Sequence, residues 1–157
     1  MNKQVWIEKA LGLGIQEFEI YQSTTVEKEM TWFQGQMDTL VSSKVTGTSI
    51  RGIVDGKMAN MALEEIDDSM CETVLKSLIA QAHIISNEET DSLRKPEPIE
   101  YVKKDVTWNM ASTEYVKDIL QSLEAKILAY DPRVIQVGYL GYSQGSGSRS
   151  IMNSLGM

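Results

Sequence analysis

Histidine and cysteine are nearly absent from this chain of 157 residues, which contains one of each, His83 and Cys71. A single cysteine cannot form an intrachain disulfide. Protein zinc sites use three or four Cys, His or acidic ligands, which one histidine and one cysteine do not readily supply. The two lie twelve residues apart on one predicted helix, about 18 Å along its axis, so they do not form a catalytic pair. We therefore predict no catalytic and no metal-binding residue, and a surface position for His83.

Long apolar runs and a surplus of basic residues are also missing. No stretch approaches the roughly 20 apolar residues of a membrane helix, and the N-terminus lacks the apolar segment of a secretory signal. The net charge is −7, whereas nucleic-acid binding relies on a basic patch that neutralises phosphates. The glycines between 141 and 147 lack the spacing of nucleotide-binding loops, so no cofactor-binding residue is predicted. We expect a cytoplasmic protein that contacts neither membrane nor nucleic acid directly.

Alternation of apolar and polar residues is the strongest structural signal that is present. Between Glu17 and Phe33 one parity is apolar at both ends and the other is polar, which predicts a long strand with one solvated face. Gln34-Gly35 and Asp55-Gly56 are typical of tight turns between antiparallel strands, and Gly47 is predicted to break a strand. The pattern predicts four antiparallel strands, over about 17–33, 37–45, 48–54 and 57–63.

Amphipathic periodicity predicts three helices, over about 3–11, 70–86 and 112–129. Ser69 and Glu72 have the spacing of a capping box at the start of the second helix. In the third, the residues predicted to share one apolar side are Val116, Ile119, Leu120, Leu123 and Ile127. The predicted fold class is α+β: a four-stranded antiparallel β-meander packed against two amphipathic helices, with a further C-terminal hairpin.

The C-terminal part of the chain is harder to assign. Residues 101–108 are predicted to be extended, and 134–137 to start a strand that the short strand 151–153 pairs with. The Gly/Ser-rich stretch 144–148 is interpreted as a hairpin loop or a linker. We predict that residues 1–90 form a helix, meander and helix core. Residues 91–157 are predicted to be the linker, second helix and terminal hairpin of the same N-terminal domain, as a fragment of a longer protein.

Four runs of the sequence, taken in order, resemble those of one protein family. Residues 34–40 contain a glycine followed by an acidic and an apolar residue. Residues 46–62 contain a glycine, a strand with an arginine, an Asp-Gly turn and a strand of small residues, and the runs Asp131–Val134 and Asn153–Gly156 follow later. By these runs the chain resembles the N-terminal domain of the TldD/PmbA family, also labelled modulators of DNA gyrase. Asn60 stands where members commonly have a small residue, so packing there is expected to differ.

The resemblance implies a cytoplasmic zinc metallopeptidase system, in which a TldD-like catalytic subunit is paired with a PmbA-like (TldE-like) partner. The family's His-Glu-x-x-x-His zinc motif belongs to a later region, and this sequence contains no such motif. No catalytic, cofactor-binding or metal residue is therefore carried over, and the fragment is expected to be inactive. Zinc would belong to a missing C-terminal region or to the partner subunit. The ending Asn153–Gly156 places the chain closer to the PmbA (TldE) side.

Two functions are left open. The first is a non-catalytic domain that serves subunit assembly and guides an unfolded peptide, which the edge of the 17–33 strand is expected to accept by strand addition. The second is a stand-alone protein-binding adaptor, for example a gyrase modulator, with no peptidase role. An independent enzyme is disfavoured by the missing chemistry. The expected partners are a TldD/PmbA-type subunit, in a homo- or hetero-oligomer, and peptide; alone, the chain is expected to form a symmetric dimer.

Overall fold

The computed structural model describes residues 1–64, 66–86, 88–98 and 109–157. Three helices and four strands occur in these residues, together with a short 3-10 turn, Asp68–Met70, directly before the second helix. In chain order they are α1 (Lys3–Gly12), β1 (Glu17–Phe33), β2 (Gln36–Val54), β3 (Lys57–Leu63), α2 (Cys71–His83), α3 (Thr113–Tyr130) and β4 (Leu140–Asn153). No helix in this part of the chain combines the length and the apolar character of a membrane-spanning segment.

The four strands form one sheet in the order β3-β2-β1-β4, and β2 pairs antiparallel with β3 from Thr48–Leu63 to Val54–Lys57. Both predicted turns are present as two-residue loops, and in each loop both residues have positive φ, as primed turns require. The α+β class and the four-stranded antiparallel sheet are thus confirmed. The predicted break at Gly47 is wrong, because strands 37–45 and 48–54 are one strand, β2. Glycine weakens a strand without preventing continued pairing.

The fourth strand of the sheet comes from the C-terminus. The predicted loop or linker at 144–148 lies inside β4, and the strand expected from 134 begins only at Leu140. A Cβ on Gly145 would lie 3.3 Å from the carbonyl oxygen of Val26, so glycine here permits a close approach of β4 to β1. The extended segment predicted at 101–108 lies outside the described residues. The division of the chain near residue 90 stays a prediction.

Contacts divide the chain into two compact units, of which the first contains residues 1–24, 46–101 and 148–157. Its core packs α1 and α2 against the buried face of β1 and β2, as the alternating pattern predicts. The largest fully buried side chains are Trp6, Ile15, Phe18, Ile20, Ile50, Leu75 and Leu78. The apolar stripe predicted for the second helix is buried at Cys71, Val74, Leu75, Leu78 and Ala82.

The second unit contains residues 25–45 and 102–147, and its core is small. Met30 and Trp32 of β1 pack against Val116 and Leu120 of α3. The apolar side predicted for α3 is therefore only partly correct: Ile119 and Leu123 are exposed, and the third buried position of the helix is Glu124. Residues four apart share one line on a helix, and only the line from 116 to 124 faces the core.

Two aspartates organise the start of α2 in place of the predicted capping box. The Asp67 carboxylate accepts a hydrogen bond from the Ser69 amide at 2.7 Å. Asp68 accepts hydrogen bonds from the backbone N–H of Asn2 and from the Trp6 indole nitrogen, each at 2.9 Å. The Asn2 amide, followed by the Trp6 indole, lowers the pKa of Asp68 below its ordinary value. This carboxylate thus joins the N-terminus of α1 to the 3-10 turn.

We expect acid to release the indole of Trp6 from Asp68. Because the pKa of Asp68 is lower in the folded than in the unfolded chain, its stabilising effect is complete above the unfolded-state pKa and is lost as the pH falls through the folded-state pKa. The indole N–H resonance of Trp6, followed by NMR from neutral to acid pH, should move with a midpoint below the ordinary aspartate range. In Asp68→Asn this transition should vanish. A Trp6 resonance that titrates identically in both proteins would contradict the assignment.

Candidate functional site

A buried ion pair lies on the face of β1 that the sequence predicts to be solvated. Glu19 is 3% exposed, and its Oε1 accepts hydrogen bonds from Nε of Arg51, at 3.0 Å, and from Nη2 of the same guanidinium. The expectation of a uniformly wet face is therefore wrong at Glu19, because an arginine on the neighbouring strand covers it. Arg51 itself remains partly exposed, with 44% of its side-chain surface accessible.

The C-terminal residues of the chain close over this pair. Asn153 Nδ2 donates to the carbonyl of Arg94 at 3.0 Å and approaches Glu19 Oε2 at 3.5 Å. Its Oδ1 accepts from the amides of Leu155 and Met157, each at 3.0 Å. Asn153 thus holds the C-terminal turn next to Glu19 and to the backbone of Arg94. Each polar atom named here has a hydrogen-bond partner within the first unit.

The run Asp131–Val134, which the sequence also singles out, has a structural role. Asp131 follows the last residue of α3, and its carboxylate accepts hydrogen bonds from the backbone and the guanidinium of Arg133, at 2.7 to 2.9 Å. The hydrogen bond from the Arg133 side chain is the largest cause of the lowered pKa of Asp131. This ion pair lies in the turn directly after α3, where the Arg133 side chain is exposed.

The two residues considered as metal or catalytic candidates differ in their exposure to solvent. His83 has a half-exposed side chain, as predicted, and its Nε2 lies 3.6 Å from Oδ2 of Asp55. Cys71 is buried, and this burial raises the pKa of its thiol, which disfavours the nucleophilic thiolate. Within the described ranges no group of three or more His, Cys, Asp or Glu is placed to hold a metal ion.

The N-terminal half of β2 is an exposed strand in the second unit. Pairing with β3 begins at Thr48, so among the described residues 36–45 have one neighbouring strand, β1. Four apolar side chains project from both faces of this half, and each is 43% to 62% exposed: Met37, Leu40, Val41 and Val45. We call residues 36–45 the open ribbon. The expectation that β1 offers the free edge is wrong, because β2 and β4 flank it.

A buried carboxylate lies beside the turn that starts the open ribbon. Glu124 of α3 is 9% exposed, and its Oε2 accepts hydrogen bonds from the Trp32 indole at 2.7 Å and from the Gly35 amide at 3.0 Å. Gln34 and Gly35 form the tight turn, with φ of 48° and 77°. Glu124 also lines a surface pocket of about 350 Å³. No sequence spacing pointed to Glu124, because its partners are 89 and 92 residues away.

The outer face of α3 carries a second apolar surface in the same unit. Tyr115, Ile119 and Leu123 are exposed at successive turns of the helix. With Asp118, Ser122 and Lys126 they line a groove of about 500 Å³. Monomeric proteins rarely expose apolar side chains in continuous rows. The second unit therefore exposes apolar side chains both on the open ribbon and on α3.

Comparison with known proteins finds one family model and several solved structures that are similar to this chain. Residues 18–85 match the sequence model described as PmbA/TldA metallopeptidase domain 1, whereas no curated protein sequence matches the chain. A Thermotoga maritima protein labelled a modulator of a DNA gyrase shares the fold over 99% of this chain, at a TM-score of 0.80 and 18% identity. TldE from Thermococcus kodakarensis shares the fold over 98% of this chain, at a TM-score of 0.78 and 19% identity. A Bacteroides thetaiotaomicron protein labelled a modulator of DNA gyrase shares the fold over 98% of this chain, at a TM-score of 0.67 and 19% identity.

The chain spans 35% or 36% of the length of these three structures. At this identity they show a common fold. The family match covers β1 to the end of α2, which includes the Asp-Gly turn and Arg51, both singled out in the sequence. The resemblance is thus confirmed over residues 18–85, which match the first domain of the PmbA/TldD family.

Proposed function

We propose that this chain is the N-terminal, non-catalytic domain of a cytoplasmic TldD/PmbA-type zinc metallopeptidase system. In this proposal it serves subunit assembly and guides an unfolded peptide towards a catalytic centre elsewhere. Zinc and the peptidase residues belong to a region outside this chain or to a partner subunit. The run Asn153–Gly156 favours the PmbA (TldE) side, and a TldD/PmbA-type subunit is then the partner in a homo- or hetero-oligomer.

The open ribbon is the observation that carries the proposal. Within the described ranges, no strand pairs with the side of the open ribbon that faces away from β1. Such a side presents a row of backbone N–H and C=O groups, to which an extended chain adds as a further strand. Backbone pairing does not depend on peptide sequence, and it suits an unfolded substrate. The exposed apolar residues Met37, Val41 and Val45 have the same parity, so they stand on one face, where alternate side chains of a bound strand would contact them.

The exposure of the open ribbon also supports a role in assembly. Its side chains are exposed on both faces, with Ser43 alone partly buried, whereas strands of globular proteins normally bury one face. Apolar rows of this kind are typical of surfaces covered by another subunit or domain. Peptide and subunit would thus use neighbouring parts of one surface.

Replacing Val41 and Val45 together by lysine tests the proposal. Lysines on a free strand edge oppose addition of another strand. We expect the affinity for a fluorescent unfolded peptide, measured by anisotropy, to fall at least about tenfold, the equivalent of about 1.4 kcal/mol. Since both valines are more than half exposed, stability should change by no more than about 0.5 kcal/mol per site.

Ile84→Lys is the matched control for this double variant. Ile84 is an apolar residue of the first unit and is 80% exposed, so the substitution adds charge without touching the open ribbon. Peptide affinity in this control should equal that of the unaltered chain. Equal affinity in all three proteins, or no peptide binding by the unaltered chain, would refute peptide guidance by this strand.

The second candidate is a protein-binding adaptor with no peptidase role. Two of the structurally similar proteins are labelled modulators of DNA gyrase, and the same open ribbon would then bind a folded protein. Purified gyrase subunits added to the anisotropy assay in place of peptide distinguish the two. Binding of gyrase that the Val41→Lys/Val45→Lys variant loses, without any peptide binding, would favour the adaptor.

A further inference from the structure

We propose that the pocket containing Glu124 binds the basic side chain of an arginine or lysine from the bound peptide. This inference deepens the proposed function, on which it rests for the source of the basic group. Nothing in the family match assigns a role to this pocket. It lies in the second unit, and Glu124 itself lies beyond the matched residues 18–85.

The charge at Glu124 is the first reason. Its carboxylate accepts hydrogen bonds from two neutral donors, the Trp32 indole and the Gly35 amide. Among the described residues no lysine, arginine or histidine forms an ion pair with it. A buried carboxylate is normally paired with a cation, because transfer of an isolated charge out of water is unfavourable. Its two oxygens accept about four hydrogen bonds in all, so acceptor capacity remains.

The shape and lining of the pocket are the second reason. Leu128, Ile135 and Val137 supply apolar surface, and the amide groups of Gln34 and Gln136 stand at the same pocket. A lysine or arginine side chain combines an apolar stem with a charged head, so its stem would pack on the three apolar residues. The head would then reach Glu124, while the glutamine oxygens accept its further N–H groups.

Preorganisation is the third reason. The Trp32 and Gly35 bonds fix the Glu124 carboxylate, and Trp32 is itself fully buried. Gly35 belongs to the turn directly before the open ribbon, whose first residue is Gln36. A peptide added along the open ribbon would thus pass the pocket near the turn. A charge held in place in this way binds a partner without first losing side-chain entropy.

The test uses two kinds of probe with the full chain. The first is N-acetyl-arginine amide, followed through the indole N–H resonance of Trp32 in NMR spectra, since that proton bonds Glu124. The second is a pair of fluorescent unfolded peptides that differ only by arginine or by citrulline, its neutral analogue. We expect the amide to shift the Trp32 resonance, and the arginine peptide to bind about tenfold more tightly, as charge-assisted hydrogen bonds are roughly twice as strong as neutral ones.

Glu124→Gln removes the charge and keeps an oxygen that accepts the Trp32 and Gly35 bonds. It should abolish both the Trp32 shift and the preference for arginine, with an unchanged dispersion of the NMR spectrum. Glu29→Gln is the matched control: Glu29 is an exposed carboxylate of the same unit, on the face of β1 opposite Met30 and Trp32. It should retain both effects.

The outcomes separate this inference from the proposed function. Peptides that bind equally with arginine and citrulline, in a protein whose Trp32 resonance ignores the amide, overturn the pocket and leave strand addition intact. A Trp32 shift with the amide, without any peptide binding, overturns the peptide as the source and the proposed function together. An arginine preference that survives Glu124→Gln overturns Glu124 as the recognising group.

Discussion

Arg51→Met should lower the free energy of unfolding by about 2–3 kcal/mol. Removing one partner of a buried ion pair typically costs about 3–5 kcal/mol, because the remaining charge stays buried without compensation. The lower figure applies here because Arg51 is 44% exposed at its side chain, so water partly screens the pair, whereas the Glu19 carboxylate is buried. Urea unfolding followed by circular dichroism measures the difference.

Two further variants identify the cause of this loss. Glu19→Gln combined with Arg51→Met removes both charges and should recover part of the stability. Arg94→Met breaks an exposed pair with Glu97, at 2.9 Å, and should change stability by less than about 1 kcal/mol. If Arg51→Met is no more destabilising than Arg94→Met, Glu19 does not depend on Arg51 in the folded chain.

Gly52→Val should destabilise the first unit by roughly 3 kcal/mol, at the upper end of the usual cost of overpacking. A Cβ at Gly52 would lie 2.8 Å from Cδ2 of Leu78 and 3.1 Å from Cγ2 of Ile15. Both neighbours are almost fully buried, so neither moves away freely in a close-packed core. The close approach of α2 to β2 therefore requires glycine at this position.

A control on the same strand and a suppressor test this account. At Gly47 an added Cβ would meet only Ser23 Oγ, at 3.8 Å, which is an ordinary contact. Gly47→Ala should be neutral or stabilising by about 0.5 kcal/mol, because glycine is unfavourable within a strand. Leu78→Ala should rescue part of the loss in Gly52→Val by making room. Equal effects of valine at Gly52 and alanine at Gly47 would show that the contact with Leu78 does not limit the packing.

Local signals in the sequence account for the parts of the fold that could be predicted. The alternation along β1 identified its buried ends, and Asp55-Gly56 identified the turn between β2 and β3. Both depend on residues next to one another in the chain, where backbone geometry and burial leave a direct pattern. The stripe of α2 was readable for the same reason, since the helix packs along one side of the core.

Contacts between distant residues account for the parts that could not. Glu19 is buried because Arg51 covers it from the next strand, and no local pattern marks such a pair. Ile119 and Leu123 of α3 are exposed although they have the same local apolar signal as the buried Leu120, because only one line of the helix packs on β1. The pocket at Glu124 depends on a helix and a turn that are brought together from 89 residues apart.

Hydrogen–deuterium exchange shows directly whether the open ribbon is the binding surface. The full chain would be compared with and without a saturating unfolded peptide, and exchange followed for each amide. We expect added protection at residues 36–45, because a bound strand supplies acceptors for their outward N–H groups. We expect no such protection in Val41→Lys/Val45→Lys. Unchanged exchange at 36–45, with protection confined to α3 or to the first unit, would contradict it.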